Sequence, residues 1–200
     1  MDISPIILEG ARARLEPLEL SHHEQLCEVG LDERLWRLTV LKVKTPGDML
    51  KYIEMALAAE ADGTALPFVI IEKTSNKIIG TSRFHNINLS QKRVDIGFTW
   101  LAVQWQRTGI NPEAKYLMLK HAFEHFGCVR VEFKVNAVNE PSCRALLRIG
   151  AKHEGTLRNY MISTDGSPRD VAIFSIIDSE WPAIKARLEQ RMASKSEGLV

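Results

Sequence analysis

The chain has 200 residues, 45% hydrophobic and 26% charged, with a formal net charge of +1. Such a chain buries about 70% of its unfolded surface in one core. That excludes disordered, collagen-like and coiled-coil proteins, and it leaves no global field to draw in nucleic acid or an anionic membrane. No apolar stretch approaches the roughly 20 residues of a membrane span. The opening MDISPIILEG lacks the basic and apolar regions of a secretory leader. The three cysteines, Cys27, Cys128 and Cys143, form no close pair. They point to a reducing cytoplasm rather than to a disulfide framework or a zinc site.

Residues 11–17 alternate and predict a strand. Residues 21–31 predict a short helix with Ser21 as cap. Pro46, Gly47 and Asp48 open a second helix, with Met49, Ile53, Ala56 and Leu57 at helical spacing and Gly63 beyond its end. Three strand-like runs follow at 66–73, 77–87 and 93–102. In the last of these, Val94, Ile96, Phe98 and Trp100 are expected on one face, and Arg93, Asp95, Gly97 and Thr99 on the other. A long helix is expected over 111–126, capped by Asn111, with Pro112 in its first turn and Gly127 as its stop. A strand at 129–137, a helix at 139–150 and two strands at 154–163 and 169–178 around Asp165-Gly166 come next. A last helix at about 179–193, capped by Ser179, precedes a loose tail at 194–200. The order predicts a single α/β domain over 1–200, with a core of about 11–178, a mixed sheet, and strands 93–102 and 129–137 side by side in parallel.

Gln106-Arg107-Thr108-Gly109-Ile110-Asn111 joins a strand to a helix. Several N–H groups there have no partner inside the helix, so they and the helix dipole favour an anion. Gly109 permits a positive φ or a close backbone approach, and Arg107 adds charge. An ordinary strand-to-helix connection fits the same residues. The loop is neither a Walker loop nor a dinucleotide fingerprint.

The same stretch resembles the GNAT acetyltransferases, whose motif Q/R-x-x-G-x-G/A is met by Gln106 and Gly109, with Asn111 replacing the final Gly/Ala. Asn139-Glu140-Pro141-Ser142 and Leu147-Arg148-Ile149-Gly150-Ala151 resemble a later family segment. Gly10 to Leu18 (GARARLEPL), Ile79-Gly80, Gly97, Glu154 to Arg158 (EGTLR) and Asp165 to Asp170 (DGSPRD) are similar to the RimJ/RimL-like branch, which acetylates ribosomal proteins.

The resemblance implies a GNAT-like fold, a mixed and mostly antiparallel sheet splayed between strands four and five (93–102 and 129–137), and acetyl-CoA as cosubstrate without a metal. It implies that backbone groups of Leu101, Ala102 and Val103 bond the pantetheine arm. The loop containing Gln106, Arg107, Thr108, Gly109, Ile110 and Asn111 would hold the pyrophosphate, and Asn139 would bond the arm. The family's usual tyrosine falls at Leu146; Ser142, the hydroxyl that the RimJ/RimL-like branch retains, is the candidate to stabilise the thiolate, against a reading as a first-turn residue of the 139–150 helix, with Tyr160 in reserve. Asp95 is the candidate base, directly or through a water, against a reading as a surface carboxylate paired with Arg93 or Arg83.

Other residues carry less. His121 and His125 lie i, i+4 on one helix with no third metal ligand in view. Cys143 beside Ser142 reads as a small core residue. The implied activity is acetyl transfer to a primary amine, either a protein N-terminus or a small amine, in a ternary complex. An enzyme that detoxifies an amine-bearing antibiotic or metabolite, and a non-catalytic acyl-CoA-binding module, are the alternatives. A cytoplasmic protein with no nucleic-acid or membrane partner is expected, and a homodimer is compatible with the sequence.

Overall fold

The computed structural model describes residues 3–164 and 166–196. Its strands are β1 (Leu8–Glu9), β2 (Ala13–Pro17), β3 (Ala65–Glu72), β4 (Lys77–Asn88), β5 (Arg93–Leu101), β6 (Arg130–Asn136), β7 (Lys152–Ile162) and β8 (Pro168–Ile177). They form one sheet in the order β1-β2-β3-β4-β5-β6-β8-β7. Only β5 and β6 pair in parallel, as their α-helical crossover requires. The expected single-domain mixed sheet is therefore the observed fold. Asp165 of the expected hairpin turn and residues 197–200 of the expected tail lie outside the described residues.

The helices are α1 (His23–Gly30), α2 (Glu33–Trp36), α3 (Pro46–Ala61), α4 (Ile110–Glu124), α5 (Glu140–Ile149) and α6 (Trp181–Ser196). Strand β3, the run ALPFVIIE, is buried along its whole length, as a central strand covered on both faces must be. On one face, α4, α5 and α6 pack over Phe68, Phe84, Val94 and Phe133. On the other, α1, α2 and α3 pack over Val69, Ile71, Ile78 and Trp100. Thr45 and Asp48 form a reciprocal capping box at the start of α3.

Three expected caps are corrected. The Ser21 hydroxyl donates to Glu19 (3.0 Å) in a 3-10 turn ahead of α1. Ser179 likewise sits in a 3-10 turn before α6. The cap of α4 is Gly109, at φ 94, and Asn111 is already inside the helix. The short β1 and α2 were not expected, because two and four residues carry no readable period.

The expected face of β5 is also corrected. Phe98 has φ 50, and pairing with β4 slips there: Thr81 faces Trp100, but Arg83 faces Gly97. The extra residue is a β-bulge, which reverses every side chain beyond it. Val94 and Ile96 stay in the α4 face, while Trp100 enters the α3 face against Trp36 (ring centroids 5.5 Å apart). Phe98 is 41% exposed and covers the Arg83 guanidinium, which lies 3.9 Å from its ring centre.

Candidate active site

The pairing of β5 with β6 holds only at Arg93/Arg130, Val94/Val131 and Asp95/Glu132. Beyond Asp95 the two strands part, leaving a cleft of about 450 Å³ between them. The Ala102 N–H donates to the Ile79 carbonyl (2.8 Å), so by strand alternation the Leu101 peptide turns the other way, toward the gap. The Leu101 carbonyl accepts the Gln106 side-chain amide (3.0 Å). Gln106 thus braces the start of the loop, with its side chain committed to the protein.

At the lip of the cleft the chain passes through Arg107 at φ 65 and Gly109 at φ 94 into α4. Among the described residues, no N–H group of residues 107–111 donates a hydrogen bond. The Thr108 hydroxyl ties back to the Trp105 carbonyl (2.7 Å). A side chain at 109 would begin 3.2 Å from the Arg12 guanidinium. Five free donors at a helix N-terminus beside an arginine make an anion cradle.

The cradle is fixed from behind by Glu113. Its buried carboxylate accepts from the N–H groups of Ala11 (2.7 Å), Arg12 (2.9 Å) and Ala13 (3.0 Å), tying the β1–β2 turn to the first turn of α4. Gly10 leaves it room, because a Cβ there would meet the carboxylate at 2.7 Å.

On the opposite wall, Asn139 caps α5 and accepts the Ser142 N–H (3.3 Å). Asn139, Ser142, Leu146 and Tyr160 all line the cleft. The Ser142 hydroxyl has no partner among the described residues, and Tyr160 is 50% exposed on β7.

Asp95 sits below the cleft. It is 1% exposed, and one carboxylate oxygen takes both Lys134 (2.5 Å) and Asn86 (2.8 Å), while the other has no partner among the described residues. Its ion pair is therefore with Lys134 on β6, and not with Arg93 or Arg83. Arg93 pairs instead with Glu132 (3.2 Å). The nearby His85 does line the cleft. Gly97 makes room for its ring, since a Cβ there would lie 2.5 Å from Nε2. Burial pushes the His85 imidazole down to about 4 against an upward pull from Asp95. Neither ring nitrogen is hydrogen-bonded within the described residues, so the site holds a neutral imidazole with its basic nitrogen free.

Lys115 on α4 is the second titratable group that the sequence did not single out. Its ammonium lines the cleft and is buried, donating to the hydroxyls of Thr99 (2.5 Å) and Ser82 (3.2 Å). Burial pushes it down to about 7. One signal was readable: Lys115, Leu119 and Ala122 fall at i, i+4 and i+7, which puts the lysine on the buried stripe. His85 carried no such signal, because its environment is made by the bulge and by Gly97. His121 and His125 stack with centroids 5.1 Å apart next to Phe126, and among the described residues no cluster of three or more His, Cys, Asp or Glu stands ready for a metal.

The remote end of the cleft is closed by the loop after α2. The Leu38 carbonyl accepts from Asn136 (3.4 Å) and Arg169 (3.0 Å), and Trp36, Leu41, Tyr52, Phe98, Trp100 and Met161 make the lining largely aromatic and aliphatic.

Residues 12–152 match the acetyltransferase (GNAT) domain family, and the chain belongs to that family. It is 28% identical over 171 residues to the uncharacterized N-acetyltransferase p20 of Bacillus licheniformis, covering 85% of this chain and 95% of that one. Among solved structures, a GCN5-related N-acetyltransferase from Brucella melitensis superposes with a TM-score of 0.87 at 29% identity, over 94% of this chain and 85% of that one. The ribosomal L7/L12 alpha-N-protein acetyltransferase RimL shares the fold, with a TM-score of 0.77 at 20% identity over 86% of this chain and 94% of that one. No helix among the described residues is long and apolar enough to cross a membrane.

Proposed function

We propose that the protein moves an acetyl group from acetyl-CoA directly onto a primary amine, with donor and acceptor bound together. The observation that carries this is the parting of β5 and β6 beside a loop whose five N–H groups have no protein acceptor. These residues fit the cosubstrate. The amides of Arg107, Thr108, Gly109, Ile110 and Asn111 hold the pyrophosphate, with Gln106 bracing their loop. The Leu101 N–H, the Val103 N–H and Asn139 hold the extended arm along the gap, whereas Ala102, expected to share in this, has its N–H on the Ile79 carbonyl (2.8 Å) and its carbonyl on the Trp105 N–H (2.8 Å). When bound, acetyl-CoA supplies an activated thioester.

His85 takes the proton of the acceptor amine through its free ring nitrogen, and the Asp95 charge beside it raises the basicity that burial lowers. Asp95 holds the charge that His85 then acquires and, through Lys134, fixes β6 against β5. The Ser142 hydroxyl and, from β7, the Tyr160 phenol are the donors available to sulfur. The apolar lining selects an amine carried next to an apolar group, and it excludes bulk water, which strengthens each polar contact. The ribosomal acetyltransferase among the structural neighbours favours a protein N-terminus as acceptor over a small amine.

Calorimetric titration with acetyl-CoA, followed by thiol release with N-terminal peptides and small amines, tests the reading. Binding with turnover on at least one amine is expected. Binding without turnover on any amine would leave an acyl-CoA-binding module, and absence of binding would end the reading.

A further inference from the structure

Among the described residues, Lys115 is a buried cation with no counter-ion. Its Nζ meets two hydroxyls, Thr99 Oγ1 and Ser82 Oγ, which also bond each other (2.7 Å). A neutral amine has two hydrogens and finds both acceptors, whereas an ammonium has a third hydrogen with nothing to receive it. Among the described residues, no carboxylate pairs with it. It interacts electrostatically with His85 on β4, itself held neutral by burial, and the charged pair beyond is Asp95 on β5 with Lys134 on β6. An unpaired buried charge is costly, so such a site is completed by an anion that arrives with a ligand.

The position says which anion. Thr99 directly follows the bulge at Phe98, inside the stretch where β5 has left β6. Lys115 on α4 and Ser142 on α5 line the same cleft. Resting on the donor reading above, we propose that Lys115 is the cation of the site, its Nζ facing the sulfur of the cosubstrate and holding the thiolate that leaves as an ion pair. As the C–N bond to the acceptor forms, the C–S bond breaks with its electron pair on sulfur. The Lys115 ammonium keeps its proton and pairs with the thiolate, which takes a proton from solvent at the cleft mouth as CoA leaves, while the acceptor's proton goes to His85.

The experiment follows the lysine itself. Protein labelled at lysine Cε is titrated with pH by NMR, alone, with CoA, and with a CoA analogue carrying hydrogen in place of the thiol. CoA should raise the Lys115 midpoint by about one pH unit or more, because an opposite charge in contact favours the charged form. The analogue should not. The thiolate ultraviolet band of bound CoA should appear at neutral pH in the wild type and be lost in Lys115→Met. That variant should lose about a hundredfold in kcat with little change in KM for acetyl-CoA, and thioester donors with a more acidic thiol should restore most of it. CoA that binds without moving the Lys115 midpoint overturns this proposal and spares the donor reading. CoA that does not bind overturns both. Because the midpoint is read on the wild type, the test stands even if Lys115→Met does not fold.

Discussion

Glu113 gives the sharpest test of how the cradle is held. Its carboxylate takes three backbone N–H groups, at 2.7, 2.9 and 3.0 Å, from the turn between β1 and β2. Glu113→Ala leaves all three without an acceptor. The Ala13 N–H is buried and bears the full penalty of about 1–3 kcal/mol, while the other two are partly exposed and recover some hydration. The sum is about 3 kcal/mol. Glu113→Gln keeps the oxygen that receives Arg12 and Ala13 and sets a donor against the Ala11 N–H, a loss of about 1 kcal/mol. For a chain of this size the two variants should melt about 6–12 °C and about 2–4 °C below the wild type. Urea unfolding gives the free energies directly. A Glu113→Ala protein within about 0.5 kcal/mol of the wild type, or a Gln variant as damaged as the Ala one, would refute the idea that these bonds hold the loop. Acetyl-CoA affinity should fall with Ala and survive with Gln, because only Ala frees the first turn of α4.

Four further outcomes are expected. Gly109→Val places a branched side chain at φ 94 and 3.2 Å from Arg12, and should weaken acetyl-CoA binding by more than about tenfold in a calorimetric titration of the folded variant. Ser142→Ala should lower kcat with KM for acetyl-CoA nearly unchanged; if Tyr160→Phe is the damaging change in the same assay, the donor to sulfur is on β7. His85→Asn should abolish the base-dependent limb of the pH–rate profile, which the lowered His85 imidazole puts on the acid side, whereas Asp95→Asn should shift that limb and loosen β6; wild-type profiles across roughly pH 3 to 8 in both would remove the pair from the chemistry. Burial holds His121 near 4 against an ordinary 6.5, so the unfolded chain binds more protons between these values and stability is lost as pH falls through that window. His121→Phe, which keeps the ring among Phe84 and Phe126, should flatten the acid side of a stability curve measured by urea unfolding.

The long elements were legible because their period is set by burial on one side. Met49, Ile53 and Ala56 recur at helical spacing and all three are buried in α3. The loop was legible from Gly109 alone, since a positive φ between a strand and a helix calls for that residue. The bulge was not legible. Both faces of β5 are covered, so an inserted residue leaves no polar residue out of step, and Trp100 reads as in phase with Val94 when it belongs to the opposite layer. Asp95 was placed on the correct face, but its partner Lys134 lies 39 residues on and comes beside it only through the parallel pairing of β5 with β6. His85 and Lys115 were passed over for a related reason. A lone histidine in a strand and a lysine in a helix look like solvated residues until Gly97, Ser82 and Thr99 are brought against them by contacts remote in sequence.

The parted strands also make the sheet two mechanical bodies. Strands β1 to β5 form one plate and β6, β8 and β7 another, joined along their edges by three residue pairs. Each plate has an open rim of backbone groups along the gap. An extended ligand arm lying there bonds to both rims and acts as a ninth rung, stitching the plates together. Amide exchange in the outer part of β6 and in β5 beyond the bulge should therefore slow together on binding, while β2 and β3, already locked on both sides, stay as they were. On the proposed function, capture of the cosubstrate would then also stiffen the platform that receives the amine.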